Sequence, residues 1–188
     1  MLDEKKLASA MKDAWRGAGY RVLLLKDTVM VRCGMWAFSI DRTHAPRKAL
    51  GLIAEHVGKL PETGAFRCGK EIGAQTMIVD EEIGFADRIV EIINAGKLQS
   101  CRRTELTMNG DEIWQDVGTL RVRLVDPEYS RIIHPDFFGE VETDPEDPES
   151  SLYVQDLGNG WLVVQPMRRG DNAKLEHLDG FPWCGEGT

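Results

Sequence analysis

No two of the four cysteines, Cys33, Cys68, Cys101 and Cys184, form a Cys-x-x-Cys pair. That spacing is what a zinc ribbon or a thioredoxin-like redox centre requires, so neither is supported. No serine occupies a Gly-x-Ser-x-Gly turn, and the nucleophile elbow of a hydrolase is missing with it. Trp183-Cys184-Gly185 opens like a redox motif but has no resolving cysteine. The apolar runs are short, far below the ~20 residues that cross a bilayer as a helix. Met1 to Leu7 carries neither the basic nor the apolar region of a secretory signal. Positive charge is scarce as well: the net charge is −8 and the pI about 5.1. A phosphate backbone needs a basic face, so direct nucleic-acid binding is disfavoured. The expectation is a reduced, soluble, cytoplasmic protein without a cofactor or metal ion.

The acidic residues, by contrast, are concentrated. Residues 1–100 balance at +2 and residues 101–188 at −10. Within the acidic half, Glu140-Val-Glu142-Thr-Asp144-Pro-Glu146-Asp147-Pro-Glu149 holds six carboxylates and two prolines, with no lysine or arginine. Such a segment is either a solvated connector or an anionic strip offered to a cationic groove. Flanking strand patterns make it an internal, presented loop. Asp80, Glu81 and Glu82 place three more carboxylates where the dipole of a following helix favours them.

At 188 residues, with 42% apolar and 29% charged composition, the chain can bury a core without disulfide or metal support. Leu7, Met11, Ala14, Trp15 and Ala18 fall on one helical stripe. Arg21–Leu25, Thr28–Cys33 and Met35–Ile40 read as a three-stranded meander, with Trp36, Phe38 and Ile40 alternating to one side. Pro46 and the stripe Leu50, Ile53, Ala54 and Val57 mark a second helix, closed by Gly58. After a glycine-rich stretch from Gly64 to Gly73, Gln75–Val79 reads as a strand. Ile83, Ala86, Ile89, Val90 and Ile93 then supply the buried face of a third helix.

Beyond Gly96 the period becomes strand-like. Glu105–Met108 and Asp111–Gln115 flank Asn109-Gly110, a strong hairpin signal. Leu120, Val122 and Leu124 alternate with Arg121 and Arg123, which predicts a buried and a wet face. Leu152–Asp156 and Trp161–Gln165 form a last hairpin around Gly158-Asn159-Gly160. The expected fold class is α+β, with three helices and short antiparallel strands in the N-terminal half and a β-hairpin-rich C-terminal half. The expected division is residues 1–98 and 99–188.

Gly64 to Lys70 fits G-x-x-x-x-G-K, yet Glu71 stands where a phosphate loop needs serine or threonine. Asp41 with His44, and His134 with Asp136, place a carboxylate near an imidazole and carry the alternative of a metal-assisted or His/Asp-dependent hydrolase. Arg102-Arg103, Arg121 with Arg123, and Arg168-Arg169 read as solvated basic spots.

The segments Lys48–Glu62 and Gly64–Arg67 resemble stretches of small accessory proteins of phages and conjugative elements of gut bacteria. The likeness spans about twenty residues and transfers no functional residue. It implies a setting in which small acidic proteins inhibit host defence, anti-CRISPR proteins among them. The leading expectation is a non-enzymatic interaction protein that meets a basic, nucleic-acid-handling effector through Glu140, Glu142, Asp144, Glu146, Asp147 and Glu149, joined by Asp80, Glu81 and Glu82.

Overall fold

The computed structural model describes residues 1–137, 139–147, 149–156, 159–167 and 177–182. Helix α1 (Glu4–Arg16) starts at Asp3, whose Oδ1 accepts hydrogen bonds from the backbone N–H groups of Lys5 and Lys6 at 2.9 and 3.0 Å. That satisfies two of the amides a helix start leaves unpaired. Strands β1 (Tyr20–Leu24), β2 (Thr28–Arg32) and β3 (Trp36–Asp41) form the expected meander. Helix α2 (Arg47–Val57) stops at Gly58, whose φ of +82° suits glycine.

Two strands follow, β4 (Gly64–Gly69) and β5 (Gly73–Met77), then helix α3 (Val79–Asn94). The glycine-rich stretch is therefore a hairpin: the phosphate-loop look-alike is a strand and its turn. In the second half, β6 (Gln99–Met108) and β7 (Asp111–Asp116) turn at Asn109 and Gly110, with φ of +56° and +95°. Positive φ at both positions is the requirement of a type I′ hairpin turn. Strand β8 (Val122–Val125), the single turn α4 (Pro127–Ser130), and strands β9 (Val141–Thr143), β10 (Leu152–Asp156) and β11 (Gly160–Val164) complete the order.

The expected fold class needs correction. The eleven strands among the described residues join one antiparallel sheet in the order β5-β4-β1-β2-β3-β11-β10-β9-β6-β7-β8. Four helices are present among the described residues, and strand (37%) outweighs helix (27%). The join that makes the sheet continuous is β3 against β11, from Trp36↔Val164 to Ile40↔Gly160. Hairpin signals show local pairs; they carry no sign of a pairing so distant in sequence.

Alternation along the central strands sends Val22, Val31, Phe38, Val154 and Leu162 to one face, where Leu7 and Met11 of α1 and Ile53 of α2 cover them. Leu23, Met30, Ala37 and Val163 point to the other face, towards Ile89 and its neighbours on α3. Each such large side chain, fully buried, contributes roughly 1.5–3 kcal/mol.

The wet face expected for β8 is a second correction. Arg123 is 1% exposed. Its guanidinium Nη1 donates to Oδ1 of the equally buried Asp116, which also accepts from the Thr143 hydroxyl. An ion pair turned inward leaves the alternating pattern intact and reverses its meaning.

Candidate functional site

The acidic segment is partly strand. Val141–Thr143 is β9, held between β10 and β6, so Glu140 and Glu142 flank a ladder rung. Beyond Thr143 the chain leaves the sheet and is tied down from below. Nη2 of Arg123 donates to the carbonyl oxygens of Asp144 and Asp147 at 2.9 and 3.0 Å. Nη1 of Arg121 donates to the carbonyl of Pro145 at 2.7 Å, and the Asp144 amide donates to Ser150 Oγ at 2.9 Å. Two local turns finish the shape: Oδ1 of Asp144 accepts from the Glu146 amide and Oδ1 of Asp147 from the Glu149 amide, both at 2.9 Å. Such bonds are the usual way aspartate fixes a turn.

Cations thus engage the backbone of the loop, and four of its six carboxylates are left exposed. Glu140, Glu146, Asp147 and Glu149 are exposed, whereas Glu142 and Asp144 are half-buried. Glu142 accepts from Gln155 Nε2 at 3.2 Å.

Beside the loop lies an open groove of about 680 Å³. Asp147 and Glu149 form one wall, Met35 and Met167 an apolar one, and Tyr153 and Gln165 also line it. Gln165 fixes the loop's exit by donating to the Glu149 carbonyl at 3.2 Å and accepting from the Ser151 hydroxyl at 3.0 Å. Burial raises the Tyr153 pKa; the charges of Asp144 and Asp147 add to the rise, and hydrogen bonds with Ser151 and Ser150 offset part of it. The phenol therefore stays a neutral donor at the foot of an anionic wall. The sequence reading places Arg121 and Arg123 on a solvated basic spot and gives Tyr153 and Gln165 no part in a site, so none of the four is expected beside the acidic run. The one available signal is the pair Arg121 and Arg123 at strand β8, upstream of the acidic run.

The remaining expected residues do not join this site. Asp80 and Glu81 are exposed at the start of α3, which follows edge strand β5, and five strands stand between β5 and β10. Glu82 is fully buried. Arg32 grips it in a two-pronged pair, Nε–Oε2 at 2.7 Å and Nη2–Oε1 at 2.9 Å, and Arg21 adds a third bond at 3.1 Å. Burial opposes its ionisation, but those hydrogen bonds prevail and hold its pKa below the ordinary value. Glu82 fastens α3 to the sheet and has no carboxylate oxygen to offer a partner.

The histidine–aspartate pairs are weak. His44 Nδ1 lies 3.8 Å from Asp41 and His134 Nδ1 3.9 Å from Asp136, all with well-exposed side chains. Asp41 is instead bound by the Thr43 hydroxyl and amide, which lower its pKa. His134 lines a concavity with Ser130, yet the Ser130 hydroxyl donates to Glu112 at 2.7 Å, so no nucleophile–base contact forms. No cluster of three or more potential metal ligands occurs among the described residues. Arg168, Arg169, Trp183, Cys184 and Gly158 lie outside the described residues. No helix of the described residues is long and apolar enough to cross a membrane. Comparison with protein-family models, curated proteins and solved structures gives no match to this chain.

Proposed function

We propose that this chain is a non-enzymatic interaction protein that binds a basic protein surface through the acidic loop and the groove beside it. The observation that carries the reading is the division of labour in residues 144–150. Buried Arg123 and half-buried Arg121 bind main-chain carbonyls, so the loop is shaped without neutralising its carboxylates. A preformed anionic wall avoids the ordering cost of a flexible acidic tail. Its field raises the rate of encounter with a cationic groove. Met35, Met167 and Tyr153 offer apolar surface for the stem of an inserted lysine or arginine, while Asp147 and Glu149 meet its head.

The accessory-protein setting implied by residues 48–67 names the class of partner: a nucleic-acid-handling effector of host defence, whose phosphate-binding channel is basic. The carboxylates, closely spaced along one strip, stand in for the phosphates of that channel's ligand.

The test is affinity capture from a bacterial lysate with the native chain and a variant carrying Glu140→Gln, Glu146→Gln, Asp147→Asn and Glu149→Gln. Asparagine at 147 keeps an Oδ1 acceptor for the Glu149 amide, so the turn survives while the charge goes. The native chain should retain a basic nucleic-acid-binding protein at ~50 mM salt and release it at ~500 mM, as screening shortens the reach of the field. Equal capture by the amide variant, or capture insensitive to salt, would refute the reading.

A further inference from the structure

A second concavity, away from the acidic loop, has the opposite character. Tyr20, at the start of β1, is 1% exposed, and its hydroxyl lies 2.6 Å from Nδ1 of His56. Burial pushes the phenol's pKa far up, with the charges of Cys68 and Glu55 adding to the rise, so it keeps its proton. Nδ1 is the acceptor placed for that proton. A donated Tyr20 O–H makes Nδ1 the bare nitrogen and puts the ring hydrogen on Nε2, the nitrogen on the far side of the ring. Protonating both nitrogens would leave a buried phenol hydrogen without an acceptor. Burial also lowers the His56 pKa, against the opposing charge of Glu55. The neutral ring is held flat by Trp15, whose centroid is 3.8 Å away at an interplanar angle of 9°.

His56 and Trp15 line a space of about 410 Å³ together with Lys12 and Arg16, one turn apart on α1, and Lys70 from the β4–β5 turn. Lys70 is positioned by its own backbone, whose N–H donates to the Trp15 carbonyl at 2.8 Å. Two carboxylates oppose these cations. Glu55 lines the same space from α2, and Asp13 engages Arg16 at 3.0 Å. Across the strand pair from Tyr20, burial raises the Cys68 thiol to about 11, so it stays protonated until well above neutral pH and influences the phenol only in the range where both would titrate.

We propose that this concavity binds one phosphate-like tetrahedral oxyanion carried on a small molecule, held by the Nε2–H of His56 and the side chains of Lys12, Arg16 and Lys70. Donors arriving from α1, α2 and the β4–β5 turn call for acceptor oxygens pointing in several directions, which a tetrahedral group has and a planar carboxylate lacks. The chain's net charge of −8 repels an extended polyanion, whereas a local cluster accommodates a single charged group.

The test is an NMR titration of the His56 ring with inorganic phosphate on the full chain, with chloride replaced to hold ionic strength constant and acetate run in parallel. Phosphate is expected to give saturable shifts and to raise the His56 pKa by about half a unit or more, because an anion on Nε2–H favours the charged ring. The double variant Lys12→Gln and Lys70→Gln, which alters two exposed side chains, is expected to bind phosphate roughly tenfold more weakly. Four results would each overturn the proposal. These are phosphate acting no more strongly than chloride, acetate matching phosphate, unchanged affinity in the double variant, and displacement of phosphate by a tighter-binding single-stranded oligonucleotide.

Discussion

Replacing Arg123 by methionine, a side chain of similar length, removes a buried charge and takes a hydrogen-bond donor from three groups, Asp116 and the carbonyls of Asp144 and Asp147. Asp116 retains only the hydroxyls of Thr143 and Thr119 beside a carboxylate that is fully buried. Removing one member of a buried ion pair costs about 3–5 kcal/mol, chiefly because the other charge is stranded. The Asp144 carbonyl also loses the Arg123 donor, and the Asp147 carbonyl keeps the Ser150 amide at 3.1 Å; water can reach this half-exposed loop, so their share is about 1 kcal/mol in all. A loss of about 4–6 kcal/mol is a large part of the 5–15 kcal/mol typical of a domain. The assay is urea unfolding followed by fluorescence, with hydrogen exchange at the Glu146, Glu149 and Ser150 amides as a local probe. A double variant, Arg123→Met with Asp116→Leu, separates the two effects. Without a stranded charge it should regain most of the stability, yet the loop amides should exchange as fast as in the single variant. If Arg123→Met costs less than about 1 kcal/mol, or the loop stays protected, the arginine does not hold the loop and the reasoning fails.

Glu82→Gln should destabilise the chain by about 1–3 kcal/mol near neutral pH, since the pairs with Arg32 and Arg21 lose their charge. The folded-state pKa of Glu82 lies below the ordinary 4.5, so its contribution is complete above that value and fades as pH falls through the folded pKa. Unfolding curves of the two proteins should therefore converge in acid; a gap that persists there contradicts the ion-pair account. A Cβ at Gly160 would overlap the Ser39 carbonyl oxygen and come within 2.7 Å of Ile40 Cα, whereas one at Gly110 meets open space. Gly160→Ala should then lower the melting temperature well beyond Gly110→Ala, whose cost is the backbone strain of about 1 kcal/mol. Similar melting temperatures would show that β3 and β11 separate easily.

Local chemistry was readable in advance, and distant pairing was not. The apolar stripe of α1 from Leu7 to Trp15, the meander and the Asn109-Gly110 turn rest on neighbours a few residues apart, and the structure reproduces them; Ala18, expected on the same stripe, lies past the helix end and is exposed. Strand β4 was hidden because Gly64 and Gly69 bound it and glycine is a poor strand former. Arg123 misled for a different reason: period-two alternation tells which residues share a face, not whether a charged face is covered. The acidic run was visible from composition alone. That it is gripped through its carbonyls depends on an arginine some twenty positions earlier in the chain, a relation no local pattern encodes.

The β3–β11 seam has a consequence for how the chain is made. Trp36, Phe38 and Ile40 emerge early in synthesis, but the strand that covers their edge, Gly160–Val164, emerges more than a hundred residues later. Until then the finished meander presents an unpaired rim, open to the rim of another nascent molecule. Ribosome-bound chains halted before residue 160 should recruit chaperones and aggregate, and emergence of Gly160–Val164 should end that vulnerability in one step.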